Sequence, residues 1–170
     1  MKRIYWNNVL TGAALLALVI VVLKLIELLA GVESTTVKTI LGIIEFAAYI
    51  LIPIFTGRRY LVQRQVMGVP FGQGYIFSLL TALFAGLMAG ILISVSYYVI
   101  GVDSIAEGAV AKALIAAGKT PEADQNLVIR YTEMAVRNPL VTVLGSAGGA
   151  ICTGLFSSLI IGMHLKKNAF

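Results

Sequence analysis

Residues 8–30 read NVLTGAALLALVIVVLKLIELLA, and this stretch decides the class of the fold. As a helix rising 1.5 Å per residue it reaches about 34 Å, enough to cross a hydrocarbon core roughly 30 Å thick. Lys24 and Glu27 are its only charges, and both lie toward one end. Working outward, three more stretches of the same kind follow near 39–56, 75–100 and 139–163. Hydrophobic residues make up 59% of the 170-residue chain and charged ones 12%, against about 25% charged in soluble domains. A chain this short buries only part of the surface it exposes, so the apolar surplus must face lipid. The expected fold is all-α: a four-transmembrane-helix bundle forming a single membrane domain over 1–170. The start, Met1-Lys2-Arg3-Ile4-Tyr5-Trp6, carries the charge of a secretory signal. The apolar run behind it is too long for a signal core, and no small-x-small cleavage site follows. It reads as an uncleaved first span.

The basic residues orient the bundle. Lys2, Arg3, Arg58, Arg59, Arg64, Lys166 and Lys167 fall on one side with no acid among them. On the other side Lys38, Lys112, Lys119, Arg130 and Arg137 are interspersed with Glu33, Asp103, Glu107, Glu122, Asp124 and Glu133. Short loops rich in Lys and Arg stay in the cytoplasm, which places both termini and the middle loop (57–74) inside. Aromatic residues follow the same frame. Tyr5, Trp6, Tyr60, Phe71 and Tyr75 come near the inner interface and Tyr97 and Tyr98 near the outer one, where amphipathic rings settle. Topology thus accounts for the formal charge of +5. The charges are too scattered for a nucleic-acid surface.

The long outer connection, 101–138, is expected to form an external helical hairpin. Ser104-Ile-Ala-Glu107 has capping-box spacing and would start its first helix, which Gly118 would end. Thr120-Pro121-Glu122 supplies a cap, a proline at the first helical position and an acid in the first turn of the second. Asn138-Pro139 closes that helix before the last span. In the middle loop, Gly57, Gly68, Pro70, Gly72 and Gly74 read as breakers, and Pro53 is expected to kink the second span.

Small residues form the strongest pattern. Ser78, Ala82, Gly86, Gly90 and Ser94 recur every fourth residue along the third span; Ser146, Ala150, Gly154, Ser158 and Gly162 do so along the fourth. Gly145, Gly149, Thr153 and Ser157 make a parallel row beside the latter. Residues four apart share a helix face, so each row is a shallow groove that admits another backbone, a main source of helix association in lipid. The simplest use of the first two rows is to pack on each other within one molecule. The parallel row then remains for a membrane-protein partner or a second copy.

Lys24, Glu27 and Glu45 are the charges inside spans. Such groups are costly unless paired or hydrated. Lys24 and Glu45 come out at similar depth on adjacent helices, and an ion pair between them is expected, with Glu27 snorkelling outward. Arg58, Arg59 and Arg64, around Tyr60, Leu61 and Val62, are expected to hold lipid headgroups. Cys152 is the only cysteine and His164 the only histidine, so an intramolecular disulfide or a Cys/His metal cluster cannot be built. Cys152 reads as a small apolar residue at a helix contact. Gly145-Ser-Ala-Gly-Gly149 lies within a span, without a base. No phosphate loop, dinucleotide fingerprint or catalytic set appears, so neither an enzyme nor a cofactor is indicated.

The order of parts carries a resemblance. A basic start and two spans lead to an Arg-bearing loop ending in Pro70-Phe71-Gly72-Gln73, then a long third span and an external helical segment. A fourth span opened by Pro139 and a Lys166-Lys167 tail follow. Together these resemble the small inner-membrane family catalogued as domain of unknown function 4199, found mainly in Bacteroidota, with Gly68 to Gly74 the most specific piece. The external segment is less acidic than is usual there, and Pro70 stands where a Ser is common. The resemblance implies a multi-pass protein of the bacterial inner membrane and transfers no catalytic residues. The leading functional expectation is an accessory or scaffold subunit binding a membrane partner or itself. The alternative is a small transporter or lipid-handling protein using Lys24, Glu27 and Glu45.

Overall fold

The structure, a computed structural model, describes residues 2–29, 34–118 and 122–166. It is all-α, with α1 (Lys2–Leu29), α2 (Thr35–Arg64), α3 (Phe71–Ile100), α4 (Val102–Ala117), α5 (Glu122–Arg137) and α6 (Pro139–Leu165). Four of these, α1, α2, α3 and α6, are long and apolar enough to cross a membrane. Among the described residues there is no strand, only an isolated bridge between Val69 and Lys166. Glu33, Lys119, Thr120, Pro121 and Lys167 lie outside the described residues, so the expected cap at Thr120-Pro121 does too.

The helix ends explain where the reading of local signals went astray. α2 does not stop near 56 but continues through Gly57 to Arg64. Gly57 is a matter of space rather than a breaker: a Cβ there would come 2.5 Å from Leu165 Cδ1, so its absence lets α6 lie against α2. The helix ends at Gln65, in the left-handed region (φ 53°), whose N–H bonds back to Val62 O. At 30 residues each, α2 and α3 are about 45 Å long, beyond the hydrocarbon thickness, and must tilt or project. Pro53 lies fully buried within α2, and the Thr56 hydroxyl donates to Ile52 O at 3.0 Å one turn on.

Ser104 does not cap α4. Gly101, at φ +119°, turns the chain directly after α3, and α4 begins at Val102 with no side-chain cap. A glycine that can adopt this backbone region sets the corner on its own, so the capping-box spacing falls inside the first turns and goes unused. Gly118 does end α4, at φ +60°. Asn138 caps α6, its Oδ1 accepting from Leu140 N at 3.0 Å, with Pro139 at the first helical position.

α3 is the central element and packs on α1, α2 and α6. One core joins Ala13, Leu16, Ala17 and Ile20 of α1 to Tyr49 of α2 and Ala82, Ala85 and Ala89 of α3. A second, toward the end where α1 begins, joins Val9, Tyr60, Phe77, Ile161 and Leu165. There Val69 N donates to Leu165 O at 3.0 Å, fastening the α2–α3 connection to the end of α6. Buried Asn8 donates to Ile4 O at 2.8 Å and to Gln63 Oε1 at 2.7 Å, tying α1 to α2. At the opposite end α4 and α5 fold back on each other as a hairpin. Ile105, Ala106 and Val136 pack above Leu28, Asp103 pairs with Arg137, and Tyr98 Oη donates to Arg137 O at 3.1 Å. Leu18 of α1, Leu51 and Phe55 of α2 and Phe156 of α6 are more than 60% exposed. Such side chains are costly against water and at ease against lipid.

Candidate functional site

The first two small-residue rows face each other. All five residues of the α3 row, Ser78, Ala82, Gly86, Gly90 and Ser94, are buried; so are Ala150, Gly154, Ser158 and Gly162, with Ser146 partly covered. A Cβ on Gly90 would meet Val143 Cα at 2.7 Å, one on Gly86 Ala150 Cβ at 2.5 Å, and one on Gly154 Ala82 Cβ at 2.6 Å. A Cβ on Gly74 would lie 3.3 Å from Gly162 Cα. The pairs step down α3 as they step up α6, an antiparallel register that leaves Ser78 opposite Ser158. Both hydroxyl oxygens are buried without a hydrogen-bond partner. The side chains are used there for their size, and leaving a hydroxyl unpaired costs about 1–3 kcal/mol.

The parallel row on α6 behaves differently along its length. Gly145 and Gly149 are exposed, Thr153 is partly covered, and Ser157 is buried with its Oγ donating to Gly154 O at 3.3 Å. Residues four apart drift about 40° around a helix of 3.6 residues per turn, so a row that starts on the outside ends in the core. Its open part is extended instead by Gly148, and added Cβ atoms at Gly145, Gly148 and Gly149 would meet nothing within 4 Å. Cys152 lies on this same exposed face. It makes no helix contact of the kind expected, because the packed side of α6 is defined by Ala147, Ala150 and Gly154, up to half a turn away.

The expected Lys24–Glu45 ion pair is not formed. Lys24 Nζ bonds Glu27 Oε2 at 3.2 Å, on the same helix and half exposed. Similar depth does not bring two side chains together when a neighbour one turn away is nearer. Glu45 instead lines a cleft of about 120 Å³ with Lys24, Glu27, Lys38 and Gly42. At the other end, Arg58 and Arg59 are exposed on the last turns of α2. Arg58 Nη2 donates to His164 Nε2 at 2.7 Å, linking α2 to α6. Arg64 turns the other way, its Nη1 donating to Tyr60 Oη at 2.8 Å.

Arg64 also belongs to a feature that the linear pattern does not reveal. A cleft of about 300 Å³ opens where α1 and α3 begin and α2 ends, lined by Lys2, Tyr5, Trp6, Tyr60, Arg64 and Gln73. Its signal in the sequence, rings beside basic residues at one interface, reads only as an aromatic belt until the fold joins three helices. Among the described residues no group of His, Cys, Asp and Glu is placed to hold a metal ion.

No curated protein and no solved structure matches the chain. Residues 9–167 match the model of the family described as "Protein of unknown function (DUF4199)". With nearly the whole chain covered, from α1 through the α4–α5 hairpin to the end of α6, the protein belongs to that family.

Proposed function

We propose that the protein is an accessory or scaffold subunit that docks a second membrane helix, from a partner or from another copy of itself, on the outward face of α6. The observation that carries this reading is the contrast between two rows on one helix. One is filled by α3 at backbone distance, whereas Gly145, Gly148 and Gly149 stand open. Glycines four apart on a lipid-facing surface leave room for close backbone approach, where packing rather than water drives association. Glycine in an exposed helix interior also carries an entropic cost, which an occupant of the groove would offset. The one-sided distribution of basic residues supports placement in a bacterial inner membrane with both termini cytoplasmic.

The test is extraction from native membranes in mild detergent, followed by mass determination of the intact complex. The wild type is expected to run with a second protein or a second copy at fixed stoichiometry. Gly149→Leu is expected to run alone while keeping its thermal stability. Association unchanged by Gly149→Leu and by Gly145→Leu would sink the reading.

The cleft beside Glu45 supports a second reading, transport of a small polar solute. On the docking reading, Glu45→Gln leaves the complex intact and flux across reconstituted vesicles unchanged. Flux lost with assembly intact would favour transport.

A further inference from the structure

The cleft at the basic end of the bundle is separate from the α6 face and does not rest on it. Its walls are rings. Tyr5 meets Tyr60 and Phe77 edge-on with centroids 5.6 Å apart in both cases, and Trp6 lies edge-on to Phe84 at 6.0 Å. Its rim is cationic and polar, with Lys2 from the first turn of α1, Arg64 from the last of α2 and Gln73 from the first of α3. The bond from Arg64 to Tyr60 Oη, with the guanidinium 5.6 Å from that ring's centroid, holds the arginine at the rim.

The sequence places no Asp or Glu side chain at this end. No Asp or Glu occurs before Glu27, between Glu45 and Asp103, or after Glu133. At 1.5 Å per residue Glu27 lies about 38 Å along α1 from Lys2. A cationic rim over an aromatic floor suits a ligand that is anionic at one end and apolar at the other. The floor runs on to the lipid-facing surface through Trp6 and Ile76, which are 41% and 52% exposed. Lysine binds phosphate as a point charge and arginine as a planar fork. The volume, about 300 Å³, is at the lower end of the roughly 300–1,000 Å³ typical of small-molecule sites, in keeping with a headgroup whose tail lies outside it.

We infer that this cleft binds the phosphate of an anionic phospholipid, with Lys2 and Arg64 on the phosphate oxygens, Gln73 on the headgroup, and the acyl chain lying over Trp6 and Ile76. The site differs from the simple arginine cluster expected of the sequence. Arg58 is bonded to His164 and Arg59 does not line the cleft.

Trp6 is the only tryptophan, so its fluorescence reports on the site. The full chain is reconstituted in phosphatidylcholine vesicles containing a minor fraction of brominated phosphatidylglycerol or, separately, of brominated phosphatidylcholine. Two basic contacts should make the anionic lipid about tenfold the better quencher at equal mole fraction. Arg64→Gln should cut that preference to about threefold, the charge-reversing Lys2→Glu to about twofold or less, and Arg59→Gln should leave it. Lys2 is exposed, so its replacement tests binding without threatening the fold. Preference retained in both Lys2→Glu and Arg64→Gln, or lost equally in Arg59→Gln, overturns the site. Inorganic phosphate added to the vesicles separates the two sources of a phosphate group. No relief of quenching supports a lipid; relief assigns the cleft to a soluble phosphate and overturns the lipid assignment.

Discussion

Gly86→Leu is expected to separate α3 from α6 and to cost on the order of 3 kcal/mol or more, at the upper end of what overpacking does. The reason lies in what a side chain would meet. Even a Cβ would sit 2.5 Å from Ala150 Cβ, 2.8 Å from Ala147 Cα and 2.9 Å from Ser146 O. Two of these are backbone atoms and the third is a methyl on the backbone, so no rotamer change makes room and the helices themselves must part. Parting them exposes Ser78, Ser158 and the inner faces of both helices, losing van der Waals contact that lipid restores only in part. Thermal unfolding of the detergent-solubilised protein, followed by circular dichroism, checks this. Gly149→Leu is the control, since open space surrounds that position. It should unfold within about 0.5 kcal/mol of the wild type, as surface changes do. Equal stability of the two variants would mean that α3 and α6 do not pack through these rows.

Gly12→Leu should have the next largest effect, about 2–3 kcal/mol, by driving α1 away from α2 and α3. A Cβ at Gly12 would lie 2.8 Å from Thr56 Oγ1 and 3.0 Å from Thr81 Cγ2. Both threonines are buried, and their hydroxyls donate to their own helices, Thr56 to Ile52 O at 3.0 Å and Thr81 to Phe77 O at 2.8 Å. Rotating either away breaks a bond that hydrocarbon cannot replace. The milder Gly12→Ala gives a sharper reading through a double-mutant cycle. Thr56→Ala removes the nearest obstacle, so the pair should be more stable than the sum of the single changes predicts, with a coupling of about 0.5–3 kcal/mol. Additive behaviour would show that α1 does not meet α2 at this residue.

The four spans were legible because membrane helices declare themselves in composition, and the facing rows because spacing by four survives from sequence to helix surface. What failed were statements about direction around an axis. Lys24 and Glu45 match in depth, yet Lys24 bonds Glu27 one turn away. Cys152 falls within an apolar run, yet points outward. Gly145 and Ser157 belong to one row in the sequence but end on opposite sides of the packed surface. Depth in a membrane is read by counting residues. Azimuth depends on which neighbour a helix meets, and that is decided by packing between segments far apart in the chain. The basic cleft was hidden for the same reason: Lys2, Arg64 and Gln73 come from three helices and share nothing in linear order.

Among the described residues the most extensive helix contact joins the third span to the fourth, and the α4–α5 hairpin lies between them in the chain. During synthesis the third span therefore enters the bilayer before its counterpart exists. Until α6 arrives, the groove of Ser78, Ala82, Gly86 and Gly90 stands open to lipid and to any passing helix. A ribosome that stalls between α3 and α6 leaves a chain with a vacant seat, which the last span of a neighbouring molecule could take. The shorter the delay before α6 arrives, the less chance a neighbouring copy has to take that seat.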